Sequence, residues 1–153
     1  MIFVSRAVPV NEPGAPRLER SAVWEGLVRK AHNALPFVPV ISDCTVVARY
    51  SGTSFDRDVR VRGDQFRERI TLEEQHRVVF TRLSGPVLGT IANEIEGEGD
   101  DLQLRFSCAL VVVGAPGGSE AEHTLAETMT GDYLQGVVST LSALRRIACG
   151  EAA

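Results

Sequence analysis

The stretch SEAEHTLAETMTGDYLQGVVSTLSALRRIACG, residues 119–150, decides the fold. It opens on a capping box, in which the Ser119 hydroxyl accepts from the amide three residues on and Glu122 reaches back to the cap. Leu125, Met129, Tyr133, Val137, Leu141 and Leu144 then recur at helical spacing as one apolar stripe. Arg145 and Arg146 suit the negative end of the helix dipole, and Gly150 is a stop signal. This pattern predicts a helix about 40 Å long at about 1.5 Å per residue. Gly131 and Gly136 weaken its middle by roughly 1 kcal/mol each relative to alanine, which predicts a bend or a close approach to a sheet.

Upstream, the punctuation changes. Short runs of alternating polarity at 43–50, 56–62, 65–72, 76–83, 88–96 and 102–112 are separated by turn residues. The breaks are Ser51-Gly52-Thr53, Gly63-Asp64, Glu73-Glu74, Ser84-Gly85-Pro86 and Gly97-Glu98-Gly99-Asp100. Gly63-Asp64 reads as a two-residue hairpin turn, because glycine permits positive φ at the first central position. Connections this short require antiparallel neighbours, so the six strands form a meander. Residues 2–10 read as a further strand. Residues 22–32 read as a helix with Ser21 as N-cap and Trp24, Leu27, Val28 and Ala31 as its stripe. Pro36 and Pro39 allow only a turn or a very short helix after it. The order β-α-α-β6-α predicts an α+β fold, a curved antiparallel sheet of about seven strands around the C-terminal helix, with 1–153 as one domain.

Composition excludes several classes. The chain is 44% hydrophobic and 24% charged, ordinary for a globular domain. A net charge of -4 with scattered arginines makes a poor surface for nucleic acid. No apolar stretch is long enough to span a bilayer, and the N-terminus has no leader pattern, so the expectation is a cytoplasmic protein without membrane insertion. Cys44, Cys108 and Cys149 form neither a disulfide framework nor a metal motif and read as small buried hydrophobes. His32, His76 and His123 share no ligand spacing and read as exposed, so no metal and no cofactor are expected.

A sheet of this size buries one face, and its twist makes that face concave. One helix can cover the concavity but cannot fill both ends, so a cavity is the physical expectation. Alternation assigns the inner residues. They are Phe66, Glu68, Ile70 and Leu72 in one strand, and Val78, Phe80 and Arg82 in the next. Gly89, Ile91, Asn93 and Ile95, then Leu102, Leu104, Phe106, Cys108 and Leu110, complete the set. Glu68, Arg82 and Asn93 are thus polar positions on apolar faces.

Four stretches carry a resemblance. They are Val8-Pro9-Val10-Asn11, Val23-Trp24-Glu25-Gly26-Leu27-Val28-Arg29-Lys30-Ala31, Phe66-Arg67-Glu68-Arg69-Ile70 and the closing Tyr133 to Arg145. The layout resembles the helix-grip fold of the SRPBCC superfamily, which includes START lipid-transfer domains, birch-pollen-type allergens and aromatic polyketide cyclases. More narrowly, the stretches resemble the AtaL-like branch of bacterial and fungal proteins. The resemblance implies a pocket between helix and sheet and carries over no fixed catalytic residue.

The candidate ligand-binding set is Glu68, Phe80, Arg82, Asn93, Phe106, Cys108, Met129 and Tyr133. Glu68 either accepts from a ligand or serves as a general base, or else it pairs with Arg82 or Arg105 or sits at a wet rim. Arg82 either forks a ligand carboxylate or closes an internal ion pair. Asn93 either binds a ligand or fixes local backbone. Met129 and Tyr133 either line a pocket or pack the core, and Trp24 anchors the first helix. The first functional expectation is a binding protein for a small hydrophobic molecule: a lipid, an aromatic or a polyketide-like compound. The alternative is a polyketide cyclase/aromatase-like enzyme in which Glu68, Arg82 and Tyr133 converge on one site. A protein working as a homodimer is the third.

Overall fold

Six strands joined by tight turns build a meander, and a first strand adds to its far edge. The computed structural model describes residues 1–150, so the last residues of the expected span, 151–153, lie outside it. The elements are β1 (Ile2–Pro9), α1 (Arg20–His32), β2 (Ile41–Ser51), β3 (Ser54–Val61), β4 (Asp64–Glu73), β5 (Arg77–Ser84), β6 (Val87–Glu96), β7 (Gln103–Val112) and α2 (Glu120–Ala148). All seven strands pair antiparallel in the order β1-β7-β6-β5-β4-β3-β2. The α+β reading holds, with each strand within a few residues of its expected place.

The inner faces follow the alternation. Phe66, Glu68, Ile70, Val78, Phe80, Arg82, Ile91, Asn93, Ile95, Leu104, Phe106, Cys108 and Leu110 are all buried. Two helices, rather than one, cover this face. α1 packs on β2, β5 and β6, while α2 packs on β1, β7 and α1. They cross where Gly26 of α1 meets Leu144 of α2, and a Cβ on Gly26 would collide with that leucine side chain.

Local chemistry corrects several expectations. The β3–β4 turn is Arg62-Gly63, one residue earlier than Gly63-Asp64, since Val61 pairs with Asp64. Both turn residues have positive φ, 48° and 87°, the conformation a two-residue hairpin prefers. Helix α1 begins at Arg20 behind Glu19, with no side-chain cap, so Ser21 lies inside the helix. Residues 35–37 form a turn, so the second short helix is absent. In α2, Ser119 accepts from the Glu122 amide at 3.3 Å as expected. Glu122 reaches further back than expected, to the Gly118 amide at 3.2 Å, and also takes the N-terminal ammonium at 2.9 Å. Neither central glycine of α2 marks contact with the sheet. Gly131 faces open space, and Gly136 sits against Val38.

On the sheet's outer surface the β3–β4 register sets Asp56 opposite Arg69 and Asp58 opposite Arg67. Arg69 Nε donates to Asp56 at 2.9 Å, and Arg67 Nε donates to Asp58 at 2.8 Å. Both carboxyls are held below the usual aspartate range, chiefly by those arginine hydrogen bonds.

Gly89 is where the sheet most needs a glycine. Its φ is +130°, and a Cβ there would collide with the Ala109 carbonyl oxygen of β7. We expect Gly89→Ala to cost roughly 1–3 kcal/mol of stability, measured by urea denaturation, because it adds both backbone strain and a clash.

Candidate functional site

Glu68 projects from β4 into the concave face. Register places Arg57 of β3 directly opposite it on one side and Arg82 of β5 on the other. A pairing irregularity between Arg67 and Glu68 falls at this point, the kind of local distortion that re-aims a side chain. Arg57 Nε donates to Glu68 Oε1 at 3.0 Å, and a second Arg57 nitrogen lies 2.9 Å from the same oxygen. Arg82 Nε donates to Oε2 at 3.3 Å. Arg57 also donates to the carbonyls of Lys30 and Ala31 at 3.1 and 2.9 Å. It therefore ties the sheet to the last turn of α1, at the negative end of that helix dipole.

Lys30 reaches inward from α1, and its Nζ donates to Asn93 Oδ1 at 2.7 Å. Lys30, Arg57, Glu68 and Arg82 are 8%, 3%, 3% and 6% exposed, so three cations and one carboxylate share a space withdrawn from water. Aromatic faces offset part of that charge. The Arg57 guanidinium lies 4.9 Å from the Phe80 centroid, and that of Arg82 lies 3.8 Å from Phe66. Tyr133 of α2 stacks on Phe106 at 4.8 Å.

Burial lowers the Lys30 ammonium to about 7, aided by repulsion from Arg57 and opposed by Glu68. Burial also pushes the Tyr133 phenol up, with the Arg82 charge opposing. The Cys108 thiol is raised by burial as well.

Between these groups and α2 lies a cavity of about 130 Å³. Glu68, Phe80, Arg82, Asn93, Phe106, Met129 and Tyr133 all line it. Cys108, also named from the sequence, is buried but does not reach the cavity wall. Lys30 and Arg57, which sequence reasoning passed over, do line it. Lys30 carried one available signal: it is the chain's single lysine, within a helix whose buried face runs Val23, Trp24, Gly26, Leu27, Lys30, Ala31. At the mouth, Arg62 and Asp132 form a bidentate pair at 2.5 and 2.6 Å, beside exposed Asp64.

Other readings are corrected. Arg105 does not partner Glu68; it lies on the outer surface with Glu96 and Ser5. Asn93 holds the Lys30 ammonium rather than local backbone. Of the cysteines, Cys108 is buried, Cys44 half-buried and Cys149 exposed. His32 is half-buried against Phe55 rather than exposed. Among the described residues no group of histidine, cysteine and carboxylate side chains is arranged to hold a metal, and no helix is long and apolar enough to cross a membrane.

Residues 4–150 match the family model described as AtaL, acetylaranotin biosynthesis cluster protein L. The chain belongs to the AtaL family. No curated protein matches it. Solved structures share its fold, a curved antiparallel sheet gripping a long C-terminal helix. The Zhui aromatase/cyclase from a Streptomyces species superposes with a TM-score of 0.73 at 16% identity, over 98% of each chain. A START superfamily protein from Mycobacterium smegmatis gives 0.62 at 18% identity, over 95% of this chain and 98% of that one. Ara h 8.0201 gives 0.58 at 11% identity, over 97% and 98%. At these identities the likeness is one of fold.

Two measurements probe the charge cluster. Lysine-selective isotope labelling should give one side-chain NMR signal titrating near pH 7, since Lys30 is the only lysine. Below 7 the ammonium is charged in both folded and unfolded chains, and the burial penalty is fully present. Between about 7 and 10.5 the folded protein has released a proton that the unfolded chain still holds, so stability should rise with pH across that window. Lys30→Met should flatten that slope. Glu68→Gln should leave Arg57 and Arg82 without a counter-charge and cost about 3–5 kcal/mol by chemical denaturation.

Proposed function

We propose that this protein binds a small hydrophobic or aromatic molecule in the cavity between the sheet and α2. One observation carries the reading: the space under Met129 and Tyr133 is open rather than packed, and apolar side chains form most of its wall. A few convergent polar groups within an apolar hollow are the usual composition of a small-molecule site, with the polar groups setting orientation. Volume narrows the ligand class. An apolar protein cavity of about 150 Å³ accepts benzene, so about 130 Å³ suits one ring and its substituents better than a long acyl chain. The helix-grip fold adds support, because the START and allergen-like neighbours share the same layout of sheet and closing helix.

A cyclase-like enzyme is the second reading, favoured by a specific arrangement. Glu68, Arg82 and Tyr133 all line the same cavity, with the Arg82 guanidinium 3.3 Å from Glu68 through its Nε and 6.0 Å from the Tyr133 ring. The fold likeness to an aromatase/cyclase agrees with this arrangement without assigning a reaction.

Native mass spectrometry of freshly purified protein tests the binding reading, and a retained small molecule is the expected result. Met129→Trp should fill the cavity, cost about 1–3 kcal/mol of stability by overpacking, and abolish that retention. A retained molecule of unchanged abundance in this variant would place the ligand elsewhere.

A further inference from the structure

The deep end of the cavity holds more positive charge than its side chains neutralise. At the deep end Lys30, Arg57 and Arg82 are opposed by Glu68, since Asn93 and Tyr133 are neutral, while Arg62 at the exposed mouth faces Asp132 with Asp64 beside it. The cations differ in how far they are occupied. Arg57 spends its donors on Glu68 and on two α1 carbonyls. Arg82 donates through Nε to Glu68, and its guanidinium also approaches the Tyr133 hydroxyl as a hydrogen-bond donor, but its terminal nitrogens have no hydrogen-bonded carboxylate among the described residues. It is nevertheless more than nine-tenths buried and forms part of the cavity wall. Lys30 donates one of its three N–H bonds, to Asn93. Unfilled donors of two buried cations therefore face the same apolar space.

We propose that the ligand of this cavity carries an acidic oxygen group, a carboxylate or an ionised phenol or enol, held by the terminal nitrogens of Arg82 and the Lys30 ammonium. The inference rests on the binding reading above and names the chemistry of its polar end. A planar guanidinium whose terminal nitrogens have no hydrogen-bonded carboxylate is suited to a two-point grip on a ligand carboxylate. The ring beneath Arg82, Phe66, fixes the plane of that grip. The apolar wall formed by Val87, Ile91, Phe106 and Met129 then takes the ring of the ligand. A bound anion also favours the charged Lys30 ammonium against the burial, and the lesser Arg57 repulsion, that lower it, so the ligand and a proton bind together.

The test uses a matched pair of probes, cinnamate and cinnamamide, which share size and shape and differ in charge. Isothermal titration calorimetry from pH 6.5 to 9 keeps the cinnamate ionised throughout. Arg57, Glu68 and Asn93 face Lys30, Arg82 and Tyr133 lie on the same cavity wall, and Lys30 itself is lowered to about 7, within this range. Cinnamate should bind roughly tenfold or more tighter than cinnamamide at pH 6.5, the scale of a charge-assisted contact. That advantage should shrink as pH rises through about 7, while cinnamamide binding stays level. In Lys30→Met the pH dependence of cinnamate binding should be lost, and its advantage over cinnamamide should no longer change across this range. Equal affinity for both probes would overturn the acidic-group proposal while leaving the binding reading intact. Failure of both probes to bind would overturn the two together.

Discussion

A single carboxylate, Glu68, stands between two arginines on neighbouring strands, and much of the interior is arranged around it. Arg57 and Arg82 flank it by strand register, and Arg57 continues to the carbonyls that end α1. Three strands and one helix are thereby tied to one buried charge. Such a network is a weak source of net stability, because desolvating the ions costs about as much as their attraction returns. Its effect is one of specification. A shift in the pairing of β3, β4 or β5 would leave an arginine or a carboxylate buried alone, at a cost of several kcal/mol.

The cavity follows from the same geometry. Apolar side chains fill the concave face at its edges, where α1 and α2 come down onto the sheet. In the middle, the charged ends of Lys30, Arg57 and Arg82 must keep their partners and cannot collapse into a packed apolar layer. Tyr133 and Met129 roof the space from α2, and Asn93 anchors the lysine from below. The polar cluster and the void are therefore two aspects of one arrangement: an interior with oriented donors at one end and ring-sized room beside them.

Legibility in the sequence tracked contrast in polarity. In β4, β5, β6 and β7, apolar residues alternate cleanly with polar ones, so Glu68, Arg82 and Asn93 stood out as polar residues on apolar faces, and all three line the cavity. β3 reads Ser-Phe-Asp-Arg-Asp-Val-Arg-Val; Arg57 shares the period of Phe55, Val59 and Val61, but it sits among three successive charged residues, so the polarity contrast that would mark it as an inward charge is weak. Pairing with β4 settles it: Asp56 and Asp58 meet arginines outside, and Arg57 meets Glu68 inside. Lys30 escaped notice because the burial face of α1 is wider than the stripe its most apolar residues suggest. The hairpin turn was displaced by one residue because Arg62 accepts a positive φ that glycine usually takes.

By itself the sequence determined the order of elements, the antiparallel meander, the long closing helix and the inward faces of four strands. Those follow from local rules of period, turn chemistry and capping that act over a few residues. The tertiary structure alone decided which charges meet, that α1 joins α2 in covering the sheet, and that α2 closes over an open space. Those depend on register and helix placement, which bring Lys30, Arg57, Glu68 and Arg82 together from four separate elements. The long C-terminal helix was legible from its cap and stripe, but its role as the roof of a charged cavity depends on what lies across from it.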